Sequence, residues 1–144
     1  MNEKNDDITF SNLGLKESII QILSKLDIST PSLIQQKTIP EVLQNKNVVF
    51  ESETGTGKTF AYLLPLIQNL ENCKSNEDKI IILAPTYELA SQIKLTASQV
   101  TSLKASLFIG GTPIKRQIEV LKDKPQIIIG NPSRILELIH LKKL

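Results

Sequence analysis

The segment Ser52-Glu53-Thr54-Gly55-Thr56-Gly57-Lys58-Thr59 stands between a short apolar run, Val48 to Phe50, and a helix-periodic stretch, Phe60 to Leu70. A strand-like run, a tight small-residue turn and then a helix restrict the chain to α/β architectures in which the turn lies at the carboxyl end of a buried strand. Glycines at 55 and 57 let several backbone N–H groups point inward, and the following helix adds the partial positive charge of its N-terminus. Such a loop cradles phosphate oxygens. Lys58 then reaches the β- and γ-phosphates of a nucleoside triphosphate, and the Thr59 hydroxyl is the ligand for magnesium. Ser52 stands where the general motif has glycine, and its small side chain still permits the turn.

The rest of the chain repeats the alternation. Apolar runs at Val48 to Phe50, Ile80 to Leu83, Leu107 to Ile109 and Ile127 to Ile129 read as buried parallel strands. Helical stretches lie around Phe60 to Leu70, Glu88 to Val100, Ile114 to Leu121 and Arg134 to Leu141. Upstream, Leu13, Leu15, Ile19, Ile20, Leu23 and Leu26 mark one face of a helix, and Pro31 opens a second that contains Pro40. The expected fold is an open parallel sheet with flanking helices. At 144 residues the chain is the size of one domain, and 40% hydrophobic content suffices for one core.

Charge excludes little: the net charge is +2, and all but Arg116 and Arg134 of the 17 basic residues are lysine. One cysteine, Cys73, and one histidine, His140, cannot form a disulfide framework or a multi-ligand Cys/His metal site. The polar, acidic stretch Met1 to Asp7 has no apolar signal region, and no segment has eighteen uninterrupted apolar residues, so a cytoplasmic protein with no membrane partner is expected.

Walker-type loops serve kinases, transporters, GTPases and helicases alike, so the neighbouring motifs decide the reaction. Thr30-Pro31-Ser32-Leu33-Ile34-Gln35 resembles the Q motif of DEAD-box RNA helicases of superfamily 2, and Phe10 lies where that family keeps an isolated aromatic. Taken alone, Gln35 is equally a solvated helix residue; within the resemblance it reads adenine, since a carboxamide both donates and accepts. Pro85-Thr86-Tyr87-Glu88-Leu89-Ala90 resembles motif Ia, Gly110-Gly111 with Gln117 the GG segment, and Asn131-Pro132-Ser133-Arg134 motif Ib. The likeness runs from Phe10 to about Leu144. It implies a RecA-like P-loop NTPase fold, C-terminally incomplete, with residues 8–36 as the Q-motif region and 37–144 running from the P-loop to motif Ib.

The resemblance further implies ATP and Mg2+ as cofactors. Phe10, Gln35 and the loop Ser52, Glu53, Thr54, Gly55, Thr56, Gly57, Lys58 and Thr59 bind the nucleotide, and Lys58 and Thr59 take part in catalysis. RNA is held through sugar and phosphate, without sequence reading, by Pro85, Thr86, Gly110, Gly111, Gln117, Pro132 and Arg134. The motif loops are expected together at the carboxyl edge of the sheet. Three departures stand out: Tyr87 replaces an arginine, Ser133 replaces a glycine, and Asp27-Ile28 replace a glycine and an aromatic. The Asp-Glu-Ala-Asp and Ser-Ala-Thr motifs, and a second RecA-like domain that would be a partner of this one, do not occur within residues 1–144. The segment is therefore not expected to hydrolyse ATP by itself. In the family's strand order, two strands separate the one entering the P-loop from the motif Ia strand. Val48 to Phe50 is thus expected to pair directly with Ile80 to Leu83, to pair with another chain, or to keep the wider family spacing. A non-catalytic nucleotide- or RNA-binding module and a DNA-directed relative are the alternative readings.

Overall fold

The computed structural model describes residues 8–144; Met1 to Asp7, the polar lead, lie outside the described residues. The chain divides after Cys73 into two compact units.

The first unit is helical. Helices α1 (Glu17–Lys25), α2 (Leu33–Leu43) and α3 (Lys58–Asn72) carry its core, in which Ile19, Leu23, Ile39, Leu63, Leu64 and Ile67 are almost fully buried. The apolar series expected to form one helix from Leu13 yields a helix only from Glu17. Ahead of it, the Asn12 side chain accepts the Thr9 N–H, and Gly14 takes a left-handed φ of 99°. Leu13 and Leu15 are nonetheless buried, packed from a turn. A buried carboxamide secures that turn: Gln68 Nε2 donates to the Gly14 carbonyl (2.9 Å), and its Oε1 accepts the Lys16 N–H (2.7 Å).

The second unit is a three-stranded parallel sheet, β1 (Ile80–Leu83), β2 (Ala105–Phe108) and β3 (Ile127–Gly130), with helices α4 (Tyr87–Val100), α5 (Ile114–Lys122) and α6 (Pro132–His140). Strand order is β1-β3-β2, with Ile82 and Leu107 opposite Ile129. Every residue of β3 is buried, as a central strand covered on both faces requires. The face of α4 formed by Ala90, Ile93, Ala97 and Val100 is buried, at the spacing of one helical stripe. Phe108, Ile128, Ile135 and Leu138 form a second cluster, against which Ile114, Ile118 and Leu121 pack.

Two strand expectations need correction. Val48 to Phe50 is extended chain outside any ladder, and Val49 is wholly exposed. A strand exists only where a neighbour takes its backbone hydrogen bonds, and no described strand pairs with this segment. In the described sheet Ile80 to Leu83 is an edge strand whose one ladder partner is β3. At the second site, the strand expected at Leu107 to Ile109 runs instead from Ala105 to Phe108. Ile109 leaves the ladder, and its carbonyl accepts the Gln117 side chain.

The ends of α1, α2, α5 and α6 follow one pattern. After α1, the Asp27 N–H donates to Ser24 and the Ile28 N–H to Leu23, with Asp27 at φ 59°. This is the paired-carbonyl stop usually made by glycine. Asn45 and Lys142 stand in the same left-handed position after α2 and α6, and Lys124 after α5.

Candidate functional site

The phosphate-type loop belongs to the first unit. Gly55 and Gly57 take φ of 85° and 79°, and Gly57 is the N-cap of α3 with no side-chain cap on the helix. The first N–H groups of a helix have no intrahelical acceptor, so this uncapped end offers donors to an anion. Within the loop, Ser52 Oγ and Thr56 Oγ1 are hydrogen-bonded, and Thr56 Oγ1 donates to the Glu53 carbonyl at 2.7 Å. Lys58 and Thr59 are half-buried at the start of α3. Thr59 is hydrogen-bonded to the Tyr62 side chain; burial pushes the Tyr62 phenol above its usual value, and that bond partly offsets the rise.

Gln35 is 4% exposed and belongs to a capping box: the Ser32 hydroxyl accepts the Gln35 N–H, and Gln35 Oε1 accepts the Ser32 N–H (2.9 Å). Its Nε2 donates to the Gly57 carbonyl at 3.2 Å. One hydrogen on Nε2 and one lone pair on Oε1 remain uncommitted. A Cβ on Gly57 would lie 2.3 Å from that Nε2 and would displace the Gln35 amide, while the φ of 79° itself calls for glycine. Phe10 is 2% exposed, and its ring forms part of the buried core. An open groove of about 630 Å³ borders the loop at Ser52, Glu53 and Thr56, with Ser32, Lys37 and Val49 on its walls. Lys58, Thr59 and Gln35 do not line it, so this groove lies beside the start of α3 and is not formed by it.

In the second unit, each remaining motif follows a strand. Pro85-Thr86 follows β1, Gly110-Gly111 follows β2 and Asn131 to Arg134 follows β3, so parallel order brings all three to one carboxyl edge. Thr86 Oγ1 caps α4 by accepting the Leu89 N–H (3.2 Å), which leaves its hydroxyl hydrogen free to donate outward. Pro85 and Pro132 are exposed, as are Gly110 and Gly111. Pro132 occupies the first turn of α6, where its fixed φ suits the helix. Gln117 and Arg134 differ from the others: Gln117 is 4% exposed, and the Arg134 side chain makes contacts within the protein.

The sequence of residues 32–144 matches the family model described as DEAD/DEAH box helicase. The chain belongs to the DEAD/DEAH box helicase family. It is 48% identical over 116 residues to the DEAD-box ATP-dependent RNA helicase CshC of Bacillus cereus, which covers 77% of this chain and 29% of that protein. It is 41% identical over 137 residues to the DEAD-box ATP-dependent RNA helicase RhpA of Helicobacter pylori, covering 93% of this chain and 27% of the relative. The chain thus spans less than a third of these relatives. Among solved structures, a DEAD box protein from the hyperthermophile Methanococcus jannaschii superposes with a TM-score of 0.83 at 33% identity, covering 96% of this chain and 38% of that one. The DEAD-box helicase Mss116 bound to ssRNA and UDP-BeF also gives 0.83, at 27% identity, over 94% of this chain and 30% of that one. The open parallel sheet with flanking helices is the RecA-like fold of these DEAD-box proteins.

Sequence reading missed three positions in this DEAD/DEAH box segment. Ser32 completes the capping box, and its signal was available as Ser three residues before Gln. Gln68 gives no motif signal at all. Gly130 ends β3, where a Cβ would lie 2.3 Å from the Phe108 carbonyl oxygen and 2.8 Å from Ile135 Cδ1. A glycine closing an apolar run before Asn-Pro was its only trace.

Proposed function

We propose that this chain supplies the ATP-cradling loop and the first RNA-contacting loops of an ATP-dependent RNA helicase, which couples ATP binding and hydrolysis to local opening of an RNA duplex. One observation carries the reading: the uncapped N-terminus of α3 begins at a left-handed Gly57 that is tied to a buried Gln35. A loop so fixed spends no ordering entropy when phosphate arrives, and its unpaired donors suit phosphate oxygens.

Lys58 and Thr59 are the reacting-end residues. The ammonium of Lys58 neutralises the β- and γ-phosphates, and the Thr59 hydroxyl is the ligand this segment offers to Mg2+. Among the described residues no group of three or more His, Cys, Asp or Glu side chains is placed to hold a metal. When bound, the ion would offset phosphate charge during transfer. The free valences of Gln35 suit the amine and ring nitrogen of adenine, so ATP is the expected nucleotide.

RNA is the proposed polymer partner. Pro85, Thr86, Gly110, Gly111 and Pro132 share the carboxyl edge of the second unit, and CshC and RhpA are named RNA helicases. A second RecA-like domain is the proposed protein partner, completing the ATPase site. No described helix is long and apolar enough to cross a membrane, and the cytoplasm is the proposed location. The named relatives favour this reading over a non-catalytic module.

The test is the ATPase rate of the full-length protein with and without single-stranded RNA. Stimulation by RNA that Lys58→Ala abolishes is expected. A rate indifferent to RNA, or stimulated equally by DNA of the same sequence, overturns the RNA assignment.

A further inference from the structure

Arg134 has the chemistry of a phosphate contact, but its surroundings give it other work. Its side chain is 12% exposed. Nη1 donates to the Thr112 carbonyl at 2.8 Å and to Gln117 Oε1 at 2.7 Å, while Nε pairs with Glu137 at 3.1 Å. Gln117, itself buried, passes the connection on, since its Nε2 donates to the Ile109 carbonyl at 2.8 Å. The two anchored carbonyls, at Ile109 and Thr112, flank Gly110-Gly111. Arg134 on α6 and Gln117 on α5 therefore grip both ends of the loop that follows β2.

We propose that Arg134 is a positioning residue that acts on RNA through the Gly110-Gly111 loop and contributes no phosphate contact of its own. The inference rests on the RNA-contacting reading given above. Both hydrogens of Nη1 are spent, and the Glu137 carboxylate beside Nε offsets the guanidinium charge locally. An end-on bidentate grip on a phosphate through Nη1 and Nη2 would have to release an acceptor inside the protein. The loop it holds is open: both glycines are exposed, Gly111 has a φ of 87°, and no atom lies within 4 Å of the Cβ position there. Backbone N–H groups on an exposed, two-point-anchored loop suit a sugar–phosphate chain, and neither glycine interposes a side chain.

Charge and geometry separate in Arg134→Lys, which keeps the cation and loses the fork. The experiment measures binding of a single-stranded RNA to the full-length protein by fluorescence anisotropy across a salt series. It is run for the unmutated protein, Arg134→Lys, Arg134→Gln, Gln117→Leu and the Arg134→Gln/Gln117→Leu pair. Positioning predicts that each single variant weakens binding roughly ten-fold, that the salt slope is unchanged, and that the pair loses no more than either single change. Amide hydrogen exchange at residues 109–112 should accelerate in every variant, with or without RNA.

A direct phosphate contact predicts the opposite: near-normal binding by Arg134→Lys and a salt slope about 0.7 shallower in Arg134→Gln. That result, or unchanged exchange in Gln117→Leu, overturns the proposal. Thermal melting checks folding, and if Gln117→Leu does not fold, the two Arg134 variants decide alone. Failure of the unmutated protein to bind RNA overturns the RNA reading itself, an outcome distinct from binding that Arg134→Lys preserves.

Discussion

Gln35 Nε2 donates to the carbonyl of Gly57, so the residue that closes the capping box of α2 also holds the last loop residue before α3. The helix that starts at Leu33 and the glycine loop that leads into α3 therefore share one carboxamide. Anything that moves Gln35 moves both.

Gln35→Ala should act on stability and nucleotide binding together. It leaves the Ser32 N–H and the Gly57 carbonyl without their partner, a cost of about 1–3 kcal/mol. Urea unfolding should show that loss, and calorimetry should show weaker ADP binding with the preference over GDP gone. Retained discrimination would mean that the base is read elsewhere.

Gly57→Ala should be worse for binding than Gly55→Ala. Both positions have positive φ, but only at 57 would the new methyl collide with Gln35; at 55 nothing lies within 4 Å. ADP affinity measured for the two variants should fall at least about ten-fold further for the first, since the methyl displaces the Gln35 amide from the Gly57 carbonyl. Equal losses would show that φ alone matters.

Asp27→Gly should stabilise the protein. Asp27 sits at φ 59° in the helix stop after α1, a conformation that costs an L-residue about 1–2 kcal/mol and glycine little. Because glycine also gains freedom in the unfolded chain, a net rise of about 0.5 kcal/mol is expected from urea titration.

Tyr62→Phe should flatten the alkaline loss of stability. Burial raises the Tyr62 pKa above 10.0 in the folded protein. Below pH 10 both states hold the proton and stability is undiminished on this account. As pH rises past 10, the unfolded chain ionises first and stability falls until the folded phenol also ionises. The melting temperature of the unmutated protein should therefore decline more steeply above pH 10 than that of the variant, when both are followed by circular dichroism.

What could be read beforehand was local. Ile80 to Leu83 and Ile127 to Ile129 were legible as strands because each is an unbroken run of β-branched or leucine side chains. Val48 to Phe50 carries the same signal, yet it lies outside any ladder, since side-chain preference says nothing of whether a neighbour is at hand. Gln117 and Arg134 were named as RNA residues on likeness, whereas their mutual hydrogen bond depends on two helices that follow different strands. Gln68 was invisible for the same reason: its partners, Gly14 and Lys16, are more than fifty residues away in sequence. The glycine turn before α3 was the easiest feature to read because its geometry is encoded in consecutive residues.

The central strand of the second unit is the last of its three to be synthesised. β1 and β2 make no ladder with each other; both pair only with β3. A nascent chain that has not yet reached Ile127 therefore has helices but no ladder among these strands, however long it waits at the ribosome. Ile80 to Leu83 and Ala105 to Phe108 must meanwhile leave their backbone groups to water or to a chaperone. Emergence of Ile127–Gly130 then closes both ladders together, so this unit should fold late and in one cooperative step.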